Sequence, residues 1–114
     1  MSFFYVNVLD DQPRPWEEKG CWADDVKKRT MVNIDHKIPK RFGANYKGRR
    51  NPVGNCMRAA IKQGYVSFAL QDGGQCFGSP NIFSYKKLGR SFKCVKPYGG
   101  PSANNVFEIN HRKH

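Results

Sequence analysis

The spacing of apolar positions changes period along this chain, and each change marks an element. Residues 3–9, Phe-Phe-Tyr-Val-Asn-Val-Leu, are rich in aromatic and β-branched side chains and predict a strand. Residues 10–20 hold Pro13, Pro15 and four acidic side chains and predict an exposed loop. Apolar positions return at Trp22, Val26, Met31, Val32 and Ile34, with a strand expected near 30–34. Residues 36–52 are polar, basic and punctuated by Gly and Pro, the composition of a long loop.

The period then becomes helical. Val53, Cys56, Met57, Ala60 and Ile61 recur at i, i+3, i+4 spacing behind Asn51, a capping residue, and Pro52, suited to the first helical position. Gly64 supplies the stop. Cys56 and Ala60, four apart, share a face of this helix. A strand follows over 65–70, with Val66, Phe68 and Leu70 on one side. Asp72-Gly73-Gly74 turns the chain into a partner strand that begins Gln75-Cys76-Phe77. Further short strands are expected near 82–86, 91–96 and 105–109. The sum is an α+β fold over a single domain, 1–114: one central helix packed on a small antiparallel sheet, with long loops.

Composition sharpens this reading. Leu, Ile, Val and Phe together number 24 of 114 residues, so the core is lean and relies on its 8 Phe, 5 Tyr and 2 Trp. A core this small needs staples, and four cysteines, Cys21, Cys56, Cys76 and Cys94, are available. None lies in a C-x-x-C pair, which argues against a zinc ribbon or a thioredoxin-type redox motif. Two disulfides and an oxidising compartment are the expectation. Spacing alone does not choose among three connectivities. A helix packed over the hairpin brings Cys56 to Cys76, and that pairing, with Cys21–Cys94 left over, is predicted. Each bridge is worth roughly 3–4.5 kcal/mol by loop entropy. The N-terminus has no basic region and no small-residue cleavage site, so it is no signal peptide. A secreted, mature form, with Met1 an addition, is the expectation. No Asn-x-Ser/Thr sequon occurs, and no apolar run is long enough to span a membrane.

Several function classes lose support at once. There is no Gly-Lys-Ser/Thr phosphate loop, no G-x-G-x-x-G and no G-x-S-x-G. No RNP motif, helix-turn-helix or zinc finger supports specific nucleic-acid reading. The formal net charge is +11, from 20 Lys+Arg against 9 Asp+Glu, and it is unevenly spread. Residues 1–35 are net −2 and residues 36–114 net +13. The sharpest cluster is Lys37, Lys40, Arg41, Lys47, Arg49 and Arg50, interleaved with Phe42 and Tyr46. Arginine forks pair with sulfate, phosphate or carboxylate, and a tyrosine ring can stack on a sugar face. This cluster, with Tyr46 and the surface aromatic Trp16, is the candidate ligand-binding set. Trp22, beside Cys21, is expected to pack on the disulfide. A second basic group is Lys86, Lys87, Arg90, Lys93 and Lys96. Gln71-Asp72 and Asn104-Asn105 read as turn residues that are also capable of bonding sugar hydroxyls.

Catalytic sets are poor. His36, His111 and His114 are the three histidines, and the last two sit in a basic tail where fraying is the default. A basic ribonuclease is thus a remote alternative, and a two-carboxylate glycosidase lacks its paired acids in a cleft. No enzyme activity, cofactor or metal is expected.

Three blocks carry a resemblance. Gly20-Cys21-Trp22-Ala23-Asp24 followed by Arg29 resembles the opening G-C-aromatic-x-D…R of WSC domains, small extracellular modules related to the PAN/apple fold. Cys56-x-x-x-Ala60, Gly64-Tyr65-x-x-Phe68-Ala69-Leu70-Gln71 and Gly74-Gln75-Cys76-Phe77-Gly78 match the family's helix and two strands. Gly99-Gly100-Pro101…Asn105-Val106-Phe107 resembles its closing block. Ala60 and Gly78 stand at or near two family cysteines, as though one disulfide were missing and Cys56–Cys76 retained. The resemblance spans about 20–108 and describes a divergent WSC-like module. It implies an extracellular carbohydrate-binding, lectin-like or adhesion function, and the basic surface adds a preference for anionic, including sulfated, glycans. The alternative is a cationic defence or matrix protein that binds polyanions or membranes by bulk charge.

Overall fold

The structure, a computed structural model, describes residues 15–110. The strand expected at 3–9 and the histidines of the tail lie outside the described residues. Five strands form one antiparallel sheet: β1 (Trp16–Ala23), β2 (Val32–Asn33), β3 (Ser67–Gln71), β4 (Gln75–Ser79) and β5 (Ala103–Ile109), in the order β1-β5-β3-β4-β2. One α-helix, α1 (Pro52–Lys62), packs on β3 and β4. The fold is α+β.

Helix α1 forms as its sequence dictates. The Asn51 side chain accepts a hydrogen bond from the Gly54 N–H, and Pro52 opens the first turn without a donor to satisfy. At the other end Gly64 (φ +77°) donates to Ile61 O and Tyr65 to Ala60 O, the paired bonds of a Schellman cap. Cys56 and Ala60 are both fully buried.

Strand alternation sorts the core onto two faces. Phe68, Leu70, Cys76, Phe107 and Ile109 meet Cys56, Ala59 and Ala60 of the helix, with Phe68 and Phe107 stacked at 4.9 Å. Ala69, Phe77 and Val106 face the other way, onto Met31, Tyr85 and Trp22. Trp22 therefore does not share the face of Cys21. It packs edge-on against Tyr85 at 5.3 Å, with the Arg90 guanidinium 4.5 Å from its ring, rather than on the disulfide. The Tyr85 phenol is pushed up to about 12, by burial first and then by its hydrogen bond to Glu108.

Both expected bridges are present, Cys21–Cys94 and Cys56–Cys76. Cys21 opposes Asn105, Asn105 opposes Leu70, and Leu70 opposes Cys76. Directly opposed residues share a face. The two bridges thus leave the sheet from one cross-strand row and on one side, that of the helix. Gly78 lies in the same sheet, where an added Cβ would come within 2.7 Å of the Tyr65 ring. The aromatic ring takes the space beside it.

On the far side Asp24, from the resemblance's opening block, is fully buried as a side chain. It accepts from the Thr30 N–H (2.8 Å) and hydroxyl (3.0 Å), from Arg29 (2.8 Å) and from Gln71 (2.9 Å). Gln71 also donates to Asn104 at 2.7 Å. Burial alone would raise the Asp24 carboxyl; the Thr30, Gln71 and Arg29 hydrogen bonds outweigh it and hold the pKa below its ordinary 3.8.

Three sequence expectations are corrected. The loop expected over 10–20 is strand from Trp16 onward, because β1 has β5 to pair with and accommodates Lys19 as an extra residue between the Glu18 and Gly20 pairs. The strand expected at 82–86 is a 3₁₀ turn, since the Asn81 side chain accepts from the Phe83 and Ser84 N–H groups and closes the chain locally. Residues 91–96 have only the isolated pairing of Val95 with Gly99.

The bridges and the Asp24 network can each be tested. Non-reducing peptide mapping should recover Cys21–Cys94 and Cys56–Cys76; a Cys21–Cys56 peptide would contradict the fold. Paired Cys→Ala replacements should cost roughly 3 kcal/mol for the shorter loop and roughly 4.5 kcal/mol for the longer, read as denaturant midpoints. Because the folded-state pKa of Asp24 is depressed, its stabilising contribution is complete above the unfolded value near 4 and is lost as pH falls below it. Asp24→Asn should lower stability at neutral pH by about 1–3 kcal/mol and flatten the acid limb of an unfolding series.

Candidate binding site

A cleft of about 690 Å³ opens where the segment 93–101 passes the loop that precedes α1. One wall carries Lys47, Gly48 and Arg49; the other carries Lys93, Val95, Tyr98 and Pro101; Asp72 and Gly73, from the β3–β4 turn, also line it. Each wall runs into a tether on the same row of the sheet. The first leads into α1 and Cys56–Cys76, and the second contains Cys94 of Cys21–Cys94.

Close backbone approach builds the second wall. Gly99 (φ +75°) lies against β3, where a Cβ would come within 2.1 Å of Leu70 O, and a Cβ on Gly100 would come within 1.9 Å of Lys93 O. Only hydrogen fits at either place. That approach lets the Asp72 N–H donate to Gly100 O (3.1 Å) and the Gly73 N–H to Tyr98 O (3.0 Å). The Tyr98 N–H donates to Val95 O at 2.7 Å, closing the turn that presents the ring. Tyr98 is 43% exposed and Val95 69%.

Asp72 is the acceptor of the cleft. It takes a hydrogen bond from the Tyr46 hydroxyl at 2.6 Å, and that bond, followed by burial, raises the Tyr46 phenol above its ordinary 10.0. The carboxylate is thus oriented from one side, with its remaining lone pairs available to a ligand hydroxyl.

The structure divides the cluster that looked continuous in sequence. Lys47 lines the cleft, and Tyr46 reaches it only through its hydrogen bond to Asp72. Arg49 borders it by residue, but its side chain is 2% exposed and binds Asp35 through both Nη atoms, at 2.7 and 2.9 Å. Arg49 is a buried structural ion pair, and its charge is spent internally. Lys37 and Arg41 line a separate groove beside α1, Lys40 is exposed, and Arg50 donates to Arg41 O. Trp16 is half-buried on β1 and packs edge-on to Phe107 at 6.2 Å, as part of the helix-side core. It is a packing residue more than an open platform. His36 is exposed. Among the described residues no group of three or more His, Cys, Asp or Glu side chains could hold a metal ion. No described helix is long and apolar enough to cross a membrane.

Tyr98 was not singled out from the sequence, Pro101 entered only through the closing block of the resemblance, and Lys93 was noted only as charge. The one signal was the Gly99-Gly100-Pro101 block, since adjacent glycines mark close backbone approach. Asn104 and Asn105, read as turn residues, are instead fully buried in β5.

No family model matches the chain. It is similar to the xylosyltransferase sqv-6 of Caenorhabditis elegans, 24% identical over an alignment of 110 residues, with 82% of this chain covered. The chain spans 12% of that enzyme's length.

Gly100→Ala tests how the cleft is built. The clash with Lys93 O should cost roughly 1–3 kcal/mol in a denaturant series. It should also displace the Tyr98 turn, seen as altered amide signals for Asp72 and Gly73. Full stability would contradict the packing described.

Proposed function

We propose that the chain is an extracellular carbohydrate-binding or adhesion module, a divergent WSC-like domain, whose cleft takes a glycan and favours anionic ones. The observation that carries this reading is the lining of the cleft. A sugar offers apolar C–H faces and hydroxyl edges together. Tyr98 and Pro101 supply apolar surface for the first, and Asp72, oriented by Tyr46, supplies an acceptor for the second. Lys47 and Lys93 both line the cleft and favour a carboxylated or sulfated residue there.

Other observations support the reading. Two disulfides in a chain with a lean core suit an oxidising compartment. The likeness to a protein named as a xylosyltransferase fits a setting in sugar chemistry. The chain matches a small part of that protein, so the reading is of sugar binding, with no transfer activity carried over. The cleft has one carboxylate and no second acid opposite it, which suits binding more than glycosidic hydrolysis.

A glycan array at low and near-physiological salt tests the proposal. Selective binding to a subset of glycans should survive the higher salt, with Tyr98→Ala weakening it by about tenfold. No binding to any glycan at low salt would overturn the proposal. So would an equal loss from Tyr98→Ala and from the charge change Lys86→Ala/Lys87→Ala, the mark of bulk charge.

A further inference from the structure

The charge of the middle of the chain has a second consequence. Residues 36–71 contain eight Lys or Arg and no Asp or Glu. Among the described residues, Arg49 is the only one of the eight in an ion pair. Folding then crowds four of the others. The loop cations Lys37 and Arg41 and the helix cations Arg58 and Lys62 line one groove of about 130 Å³, with Phe42 and Asn55. Arg58 and Lys62 are four apart on α1, a spacing at which like charges repel. Nothing acidic among the groove's lining residues offsets them.

The groove is shaped rather than flat. Asn55 is buried; its amide donates to Arg50 O at 2.8 Å and its Oδ1 accepts from Arg58 at 3.4 Å, which positions that guanidinium. The Arg41 guanidinium lies 4.7 Å from the Phe42 ring centre. The volume is that of roughly four waters, the scale of a tetrahedral oxyanion with its hydration. Two guanidinium forks and two ammonium groups match such an anion, since forks bind its oxygens in pairs and ammonium groups act as point charges.

We propose that this groove is an oxyanion site, binding a sulfate or phosphate group through Arg41, Arg58, Lys37 and Lys62. It is separate from the Tyr98 cleft, and inorganic ions can fill it whether or not the cleft takes a sugar. The group can arrive as a free ion or as an ester on a larger molecule.

The test is calorimetric titration of the intact protein with sodium sulfate, sodium phosphate and glucose 6-sulfate, each at ionic strength fixed with sodium chloride. Saturable binding near one ion per chain is expected. Arg58→Ala/Lys62→Ala should weaken it by about tenfold or more, while the charge-matched Lys27→Ala/Lys87→Ala leaves it within about twofold. Tighter binding of glucose 6-sulfate than of sulfate identifies an ester as the source; equal binding identifies the free ion. Absence of saturable binding, or equal weakening in the two double variants, overturns the site. Circular dichroism of both variants guards against misfolding. If Arg58→Ala/Lys62→Ala unfolds, Arg58→Gln, which keeps the bulk and removes the charge, takes its place under the same criterion. A null glycan array with a positive sulfate titration would sink the cleft reading and leave this one standing.

Discussion

Cys76 is where the separate parts of this protein are joined. Its sulfur binds Cys56 and so fastens α1 to the sheet. Its N–H donates to Asp35 Oδ1 at 2.9 Å, and its carbonyl accepts from Ile34 at 3.0 Å. Asp35 in turn grips the Arg49 guanidinium, whose Nε reaches Gly43 O at 3.3 Å. One residue of β4 thereby anchors the helix, the strand before it and the basic loop between them. A chain with few aliphatic side chains cannot hold such a loop by burial alone. A covalent bond and a bidentate ion pair at one place do so.

The second bridge completes the arrangement. Cys21 and Cys76 occupy one cross-strand row, and their partners rise from the same face of the sheet. The cleft lies between the segments these bridges restrain, with the β3–β4 turn also lining it. Such a site loses little conformational freedom when a ligand enters, because the chain on both sides is already constrained. On the opposite face the Asp24 network ties Arg29, Thr30, Gln71 and Asn104 together. Gln71 adjoins Asp72, so that network also fixes the turn that carries the cleft's carboxylate.

Electrostatics divide the molecule further. In sequence the basic residues between 37 and 50 form one cluster. In space Arg49 turns inward to the half-buried Asp35 carboxylate, Lys47 lines the cleft, and Lys37 and Arg41 turn to α1, where Arg58 and Lys62 meet them. Removing a paired guanidinium from water is costly unless both its oxygen partners are in place, and Asp35 supplies them. A sequence position cannot disclose such a partner when it lies 14 residues away across a turn.

Local chemistry made much legible from the sequence. The helix from Asn51 to Gly64 could be read from its caps and its 3.6-residue period, because those signals act within a few residues. The hairpin around Asp72-Gly73-Gly74 and the strand ending near 109 were legible for the same reason, as was the Cys56–Cys76 pairing, which joins adjacent elements. The strand at 16–23 and the turns at 82–96 were not. Whether a polar, charged segment is strand or loop depends on whether a distant edge is free to pair with it, and β5 lies more than eighty residues away. The cleft belongs with these. Tyr98, Lys93, Asp72 and Lys47 come from three separated segments, and only the docking of Gly99 and Gly100 against β3 and the 93–94 backbone brings them together. Periodicity, capping and composition together pointed to a small, basic, disulfide-stapled α+β fold. Tertiary structure decided which charges are spent inside and which stay at the surface, because pairing energy depends on distances that the order of residues does not contain.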